Sequence, residues 1–188
     1  MAHLAREGLL GDCVLREAMD LSDAQILAAH STEHLEFLQR SEPTDGIIPL
    51  DPDTWMGTRS LNAARLAASS VCSGVDDVLA GTEKRVFCAV RPPGHHAETN
   101  SAMGFCLLNS IAIAALHALN QTDVARVAIV DFDVHHGNGT QRMFKKVSSG
   151  LTCCPHAFPA RVNLTRSTVF SPPSLIVTTF SHCHHLLS

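Results

Sequence analysis

Tyrosine is absent from the 188 residues and tryptophan occurs once, at Trp55. No phenol can therefore take part in any chemistry this chain performs. No stretch approaches the roughly 20 unbroken apolar residues of a membrane span. The start, Met1-Ala2-His3-Leu4-Ala5-Arg6-Glu7, also lacks the long apolar region of a secretion signal, so a cytoplasmic location is expected, or a nuclear one in a eukaryote. Seven cysteines, an odd number in no regular framework, argue against a disulfide scaffold, and in a reducing compartment most are expected to be free thiols. A formal charge of only −4 gives no electrostatic reason to expect nucleic acid or a membrane surface as partner. Acidic residues run out altogether: from Val134 to Ser188 there is no Asp or Glu.

What is present points to a globular chain, with 45% apolar and 17% charged residues in a length that suits one domain with a sizeable core. Asp12–Met19 and Asp23–Gln39 are predicted helices, the second with Ser22 as N-cap. A Pro- and Gly-containing loop is expected over 41–57. Ser60–Ala80 carries Ala64, Ala67, Val71, Val75 and Val78 on one stripe and is closed by Gly81, the strongest helical signal in the chain. Val86–Val90 reads as a short buried strand, 91–104 as a loop stiffened by Pro92-Pro93, and Leu107–Leu119 as an interior helix feeding a strand at Val127. Strand, apolar crossover helix and strand together predict an α/β domain with a parallel sheet.

Two constellations carry chemistry. In Val130-Asp131-Phe132-Asp133-Val134-His135-His136-Gly137-Asn138-Gly139, two carboxylates and two imidazoles follow an apolar run. Strand alternation would turn Asp131, Asp133 and His135 to one face, half of a divalent-metal site at the end of a core strand. In Arg91-Pro92-Pro93-Gly94-His95-His96-Ala97-Glu98, adjacent imidazoles on a stiffened loop suit proton transfer near neutrality. A carboxylate on the far ring nitrogen would set the tautomer and raise basicity.

These blocks, with Met103-Gly104-Phe105-Cys106 between them and Leu50-Asp51-Pro52-Asp53-Thr54 before them, resemble the zinc-dependent histone deacetylase and acetylpolyamine amidohydrolase superfamily, in its class II-like branch. The likeness runs from about residue 20 to 144. It implies an arginase-like three-layer α/β fold around a central parallel sheet, here incomplete, and removal of acetyl groups from acetyl-lysine or acetylpolyamines. By this resemblance Asp133 and His135 are two of three Zn2+ ligands, and His95 and His96 handle the proton of the attacking water. Asp131 orients His95, unless it is a buried structural carboxylate, and Asn138 stands where the partner of His96 belongs. Gly104 and Phe105 line the substrate channel, although Phe105 could instead be core. Asp51 and Asp53 sit either at the channel rim, gripping substrate, or in a turn beside Pro52. Main-chain oxygens near Asp131, Asp133 and His135 would hold a structural K+.

The departures matter equally. The family's third zinc ligand, a downstream aspartate, and its transition-state tyrosine have no counterpart in these residues. The resemblance therefore implies a partial deacetylase domain over 1–144, lacking the family's opening strand. It leaves a divergent tail over 145–188, a compositional break of the kind a foreign or out-of-frame ending would give. Such a chain is expected to be an impaired amidohydrolase or an inactive fragment serving as a binding or regulatory module. Ser174-Leu175-Ile176-Val177-Thr178-Thr179-Phe180 could form a strand, with nothing to set its register. Cys153, Cys154, His156 and His182-Cys183-His184-His185 lack regular ligand spacing and are not read as a second zinc cluster.

Overall fold

The computed structural model describes residues 2–11, 13–121, 124–131 and 133–145, together with the backbone of Leu151–Cys154 and Ser174–Thr179. In chain order the elements are α1 (Ala2–Arg6), α2 (Asp23–Leu27), α3 (Thr32–Ser41), β1 (Ile47–Pro49) and β2 (Trp55–Gly57). They continue with α4 (Ser60–Leu79), α5 (Ser110–Leu119), β3 (Arg126–Asp131), α6 (Asn138–Phe144), β4 (Leu151–Cys154) and β5 (Ser174–Thr179).

The core forms where the apolar patterns are strongest. Helix α5 buries Ile111, Ala112, Ile113, Ala114, Ala115 and Ala118, so it has almost no wet side. It packs between α4 and β3. The stripe of α4 supplies Leu61, Ala64, Ala68, Cys72 and Val75 to the same cluster, joined by Ile26, Leu35 and Leu38 from the first two capped helices. Strand β3 buries Val127, Ala128 and Ile129 in succession, the continuous apolar run of a parallel strand covered on both faces.

The sheet is parallel, in the order β4-β3-β5. Register runs from Arg126 opposite Ser174 to Asp131 opposite Thr179, and Val127 to Val130 stand opposite Leu151 to Cys154. The strand expected near Ser174–Phe180 thus has a definite partner along 174–179, while Phe180 and the side chains of the tail's cysteines and histidines lie outside what the structure describes.

Other expectations need correction. Val86–Val90 is not a paired strand among the described residues, and the neighbours of β3 in the sheet are β4 and β5. That segment leans on α4 instead, where the Cys88 thiol donates to the Ser70 carbonyl, and Phe87 is 78% exposed. Cys13–Met19 is not helical; Val14, Leu15 and Met19 are exposed, so no stripe is buried. An ion pair from Arg16 to Asp77 (3.1 Å) and a hydrogen bond from the Ser69 hydroxyl to the Met19 carbonyl lay this segment along α4. The helix expected over Asp23–Gln39 is two helices. Ser22 caps α2 through a reciprocal capping box with Gln25, and Ser31 caps α3 after its own N–H has left the axis to reach the Thr99 carbonyl. Within the expected 41–57 loop, β1 and β2 pair antiparallel.

Asn109 ties these layers to the loops above them. Its Oδ1 caps α5 by accepting from the Ala112 N–H (3.0 Å), while its Nδ2 donates to the Ala97 carbonyl and to Thr140 Oγ1, both at 3.1 Å. The side chain is fully buried, so truncation leaves several groups without partners. Asn109→Ala should lower unfolding free energy by about 2–4 kcal/mol in urea titration, a lost cap plus a buried acceptor left bare. Arg40→Ala, which removes only an exposed pair with Glu36, should change it by less than ~0.5 kcal/mol.

Candidate active site

Three segments meet at the carboxyl end of β3: its last residue Asp131 with the bend 133–137, the loop 91–106, and the start of α6. Strand alternation does not aim Asp133 and His135, since neither lies in a strand. Side-chain-to-backbone bonds aim them. Asp131 Oδ1 accepts the Asp133 N–H (3.1 Å), and Asp133 Oδ1 accepts the His135 N–H (2.7 Å).

Each member of the histidine pair has its Nδ1 engaged. His95 Nδ1 lies 2.8 Å from Asp131 Oδ2, with His95 and Asp131 both buried. His96 Nδ1 lies 2.7 Å from Asn138 Oδ1, and Asn138 is the first residue of α6. The two rings have centroids 4.1 Å apart, and the His96 ring meets that of His135 edge-on at 6.2 Å. Burial pushes the His96 imidazole below its ordinary value, and the neighbouring His95 and His135 add to this. The Asn138 hydrogen bond and the Asp133 charge pull the other way.

Close packing makes two glycines obligatory here. Gly104 has φ +58°, and a Cβ on it would run into the His96 ring. A Cβ on Gly139 would strike the Ala97 carbonyl and the His96 backbone, so α6 could not approach the loop.

Asp51 and Asp53 behave as a turn with a tether. Asp51 Oδ1 accepts the N–H groups of Asp53 (3.0 Å) and Thr54 (2.6 Å), an Asx-type turn around Pro52. Burial raises the Asp51 carboxyl, and the bonds from Thr54 and Asp53 overcome it to leave the group below its ordinary value. Asp53 Oδ1 accepts the Gly104 N–H and Thr54 Oγ1 accepts the Phe105 N–H, each at 3.1 Å. Phe105 is therefore held with φ +64° and its ring exposed, not packed into the core.

For a metal, Asp133 Oδ1 and His135 Nδ1 are 3.0 Å apart, near the ~3.4 Å edge of a tetrahedron with bonds of about 2.0–2.2 Å. The pair fits two positions around zinc. Among the described residues no group of three His, Cys, Asp or Glu side chains is gathered to hold a cation.

The structure also uses residues to which the sequence patterns assign no role. Glu98 and Met103 surround the Asn138 amide, and Arg142 reaches Glu98. Beneath the site His30 and His34 stack at 4.9 Å. His30 Nε2 accepts the Asn109 N–H (2.9 Å), and His34 Nε2 lies 2.9 Å from the Leu107 carbonyl. Their spacing along the chain could have flagged a pair on one helical face, but Ser31 breaks the helix between them.

Known proteins share sequence and fold with this chain. The profile of the Histone deacetylase domain matches residues 1–166, further along the chain than the 20–144 read from motifs. The uncharacterized protein slr0245 of Synechocystis is 47% identical over 137 residues, 73% of this chain and 44% of that protein. The mouse polyamine deacetylase HDAC10 is 34% identical over 166 residues, 82% of this chain and 24% of its own length. The crystal structure of the HDA15 HD domain superposes with TM-score 0.75 at 37% identity, covering 81% of this chain and 42% of that one. The chain belongs to the histone deacetylase domain family and has its arginase-like α/β fold. It spans less than half the length of these relatives.

The buried histidine pair makes stability depend on pH. Burial, reinforced by His34, lowers His30 from 6.5 to about 4. Between those values the unfolded chain takes up a proton that the folded chain does not. Stability is therefore intact above about pH 6.5 and falls as pH drops toward 4. The unfolding free energy read from denaturant titrations should decline across that window by up to about 3 kcal/mol, and His30→Gln should flatten the slope.

Proposed function

We propose that this site serves the hydrolysis of an acetyl amide on a primary amine, acetyl-lysine in a histone or other protein or an acetylpolyamine. One observation carries the reading: two adjacent imidazoles, tilted at 51° with centroids 4.1 Å apart and each with Nδ1 bound to a side-chain oxygen, stand beside the Asp133–His135 pair. With Nδ1 donating, each ring leaves Nε2 as the base. Asp131 orients His95 through a carboxylate and Asn138 orients His96 through a neutral amide; the Nε2 of His96 is open to take a proton, and its lowered affinity favours returning it to the departing amine. Zinc between Asp133 and His135 would activate water and polarise the amide carbonyl. The exposed Phe105 ring and Gly104 offer a wall for the methylene stem of the substrate. The polyamine activity named for the mouse relative keeps both amine classes in view.

A second reading has its own support. Among these 188 residues no acidic side chain follows Asp133 and none is tyrosine, so they do not include a third, carboxylate ligand or a phenol donor of the kind the family's chemistry uses. Losing one oxyanion donor lowers rate by about two to three orders of magnitude. On this reading the chain is an inactive domain that binds or regulates. The free thiols of Cys13, Cys72 and Cys88, with burial raising Cys72 to about 12, suit a reducing cytoplasmic or nuclear setting. Among the described residues no helix is long and apolar enough to cross a membrane.

Zinc content and turnover of a fluorogenic acetyl-lysine peptide and of an acetylpolyamine separate the two. The enzyme reading expects bound zinc and slow turnover, reduced about 10²-fold or more by His96→Ala. Protein free of both metal and turnover supports the binding module and overturns the enzyme.

A further inference from the structure

We infer that Glu98, gripped by Arg142, is a positioning residue that fixes which end of the Asn138 amide faces His96, and so which ring nitrogen of His96 carries the proton. The two ends of an asparagine amide are nearly the same shape, and only their partners decide the orientation. The Nδ2 end lies 3.4 Å from Glu98 Oε1 and 3.4 Å from Met103 Sδ. A carboxylate and a thioether can only accept. Turned over, the amide would put its oxygen against both, with no hydrogen between them. It would also present an N–H donor to His96 Nδ1, which must then accept and place its own proton on Nε2. As held, Asn138 Oδ1 faces Nδ1 at 2.7 Å, so Nδ1 donates and Nε2 keeps its lone pair.

Glu98 is itself pinned. Arg142 Nη1 reaches its Oε2 at 2.5 Å, and Arg142 follows Asn138 by one turn on α6, so both side chains lie on the face toward Glu98. The Glu98 N–H donates to the Ser101 carbonyl (2.9 Å), which sets its backbone, and its side chain is only 14% exposed. A carboxylate at position 138 would accept through either oxygen and need no guard. An amide does need one. Glu98 is thus the counterpart that an asparagine at 138 requires. The proposed function is used here only for the meaning of a free Nε2 on His96.

The test is the His96 tautomer, read in the full chain by long-range 1H–15N correlation of the labelled imidazoles at pH 8, where it needs neither metal nor turnover. The wild-type ring should be in the Nδ1–H form. Glu98→Gln is nearly isosteric, and its new NH2 can face Asn138 Oδ1 and let the amide turn. The Nε2–H fraction should rise about fivefold, as expected for trading a charge-assisted hydrogen bond for a neutral one. Adding Asn138→Asp to Glu98→Gln should restore the Nδ1–H form, since either oxygen then accepts. Arg142→Gln, altering a side chain that is 73% exposed, should shift the ratio the same way by less. An unchanged tautomer in Glu98→Gln, or no restoration in the double variant, overturns the assignment. If Glu98→Gln does not fold, an unchanged tautomer in Arg142→Gln overturns it alone. Tautomer shifts as described in a protein without zinc or turnover would sink the proposed function and leave this inference standing.

Discussion

The bifurcated role of the Asp131 carboxylate is the constraint on which the site depends. One oxygen holds His95 and the other holds the backbone of Asp133, so a single buried group at the end of β3 joins the imidazole loop to the Asp133–His135 bend. A buried carboxylate is costly unless nearly every lone pair finds a donor, and here the two donors are the parts that must be aligned. The same carboxylate limits what can lie nearby, since a Cβ on Gly137 would collide with its Oδ2. Alignment of the imidazoles and of the aspartate–histidine pair is therefore one event, not two.

Around that pivot the protein builds in layers of decreasing burial. His30, His34 and Asn109 form a polar layer under the loop, wholly inside the protein and bonded to it from below. His95 lies above them, then His96, then the half-exposed His135. Water is excluded progressively toward the base of the site, and electrostatic interactions strengthen in the same direction. This gradient lets one type of side chain play different parts.

Local spacing made much of this legible. The stripe of α4 and the apolar run of α5 depend on residues within a few turns, and so does the Ser22 cap. Asp131, Asp133, His135, His95 and His96 stood out because chemistry-bearing residues are crowded there between glycines and prolines. What could not be read depends on where distant segments meet. Val86–Val90 has the composition of a strand, but strand identity needs a partner, and among the described residues this segment meets α4 instead of a sheet edge. Asp133 and His135 face each other through a chain of carboxylate-to-amide bonds and not through strand alternation. The Glu98–Arg142 clamp joins residues 44 apart in sequence, a distance at which no periodicity operates.

Helix α5 carries a consequence for how the molecule assembles. Its circumference is greasy nearly all the way around, and such a segment gains nothing from being helical in water alone. It becomes worth forming only when α4 covers one flank and β3 the other. Its capping Asn109 at the same time grasps the loop that bears the histidines. Collapse of the interior and shaping of the histidine-bearing rim are consequently coupled, and loosening either one releases both.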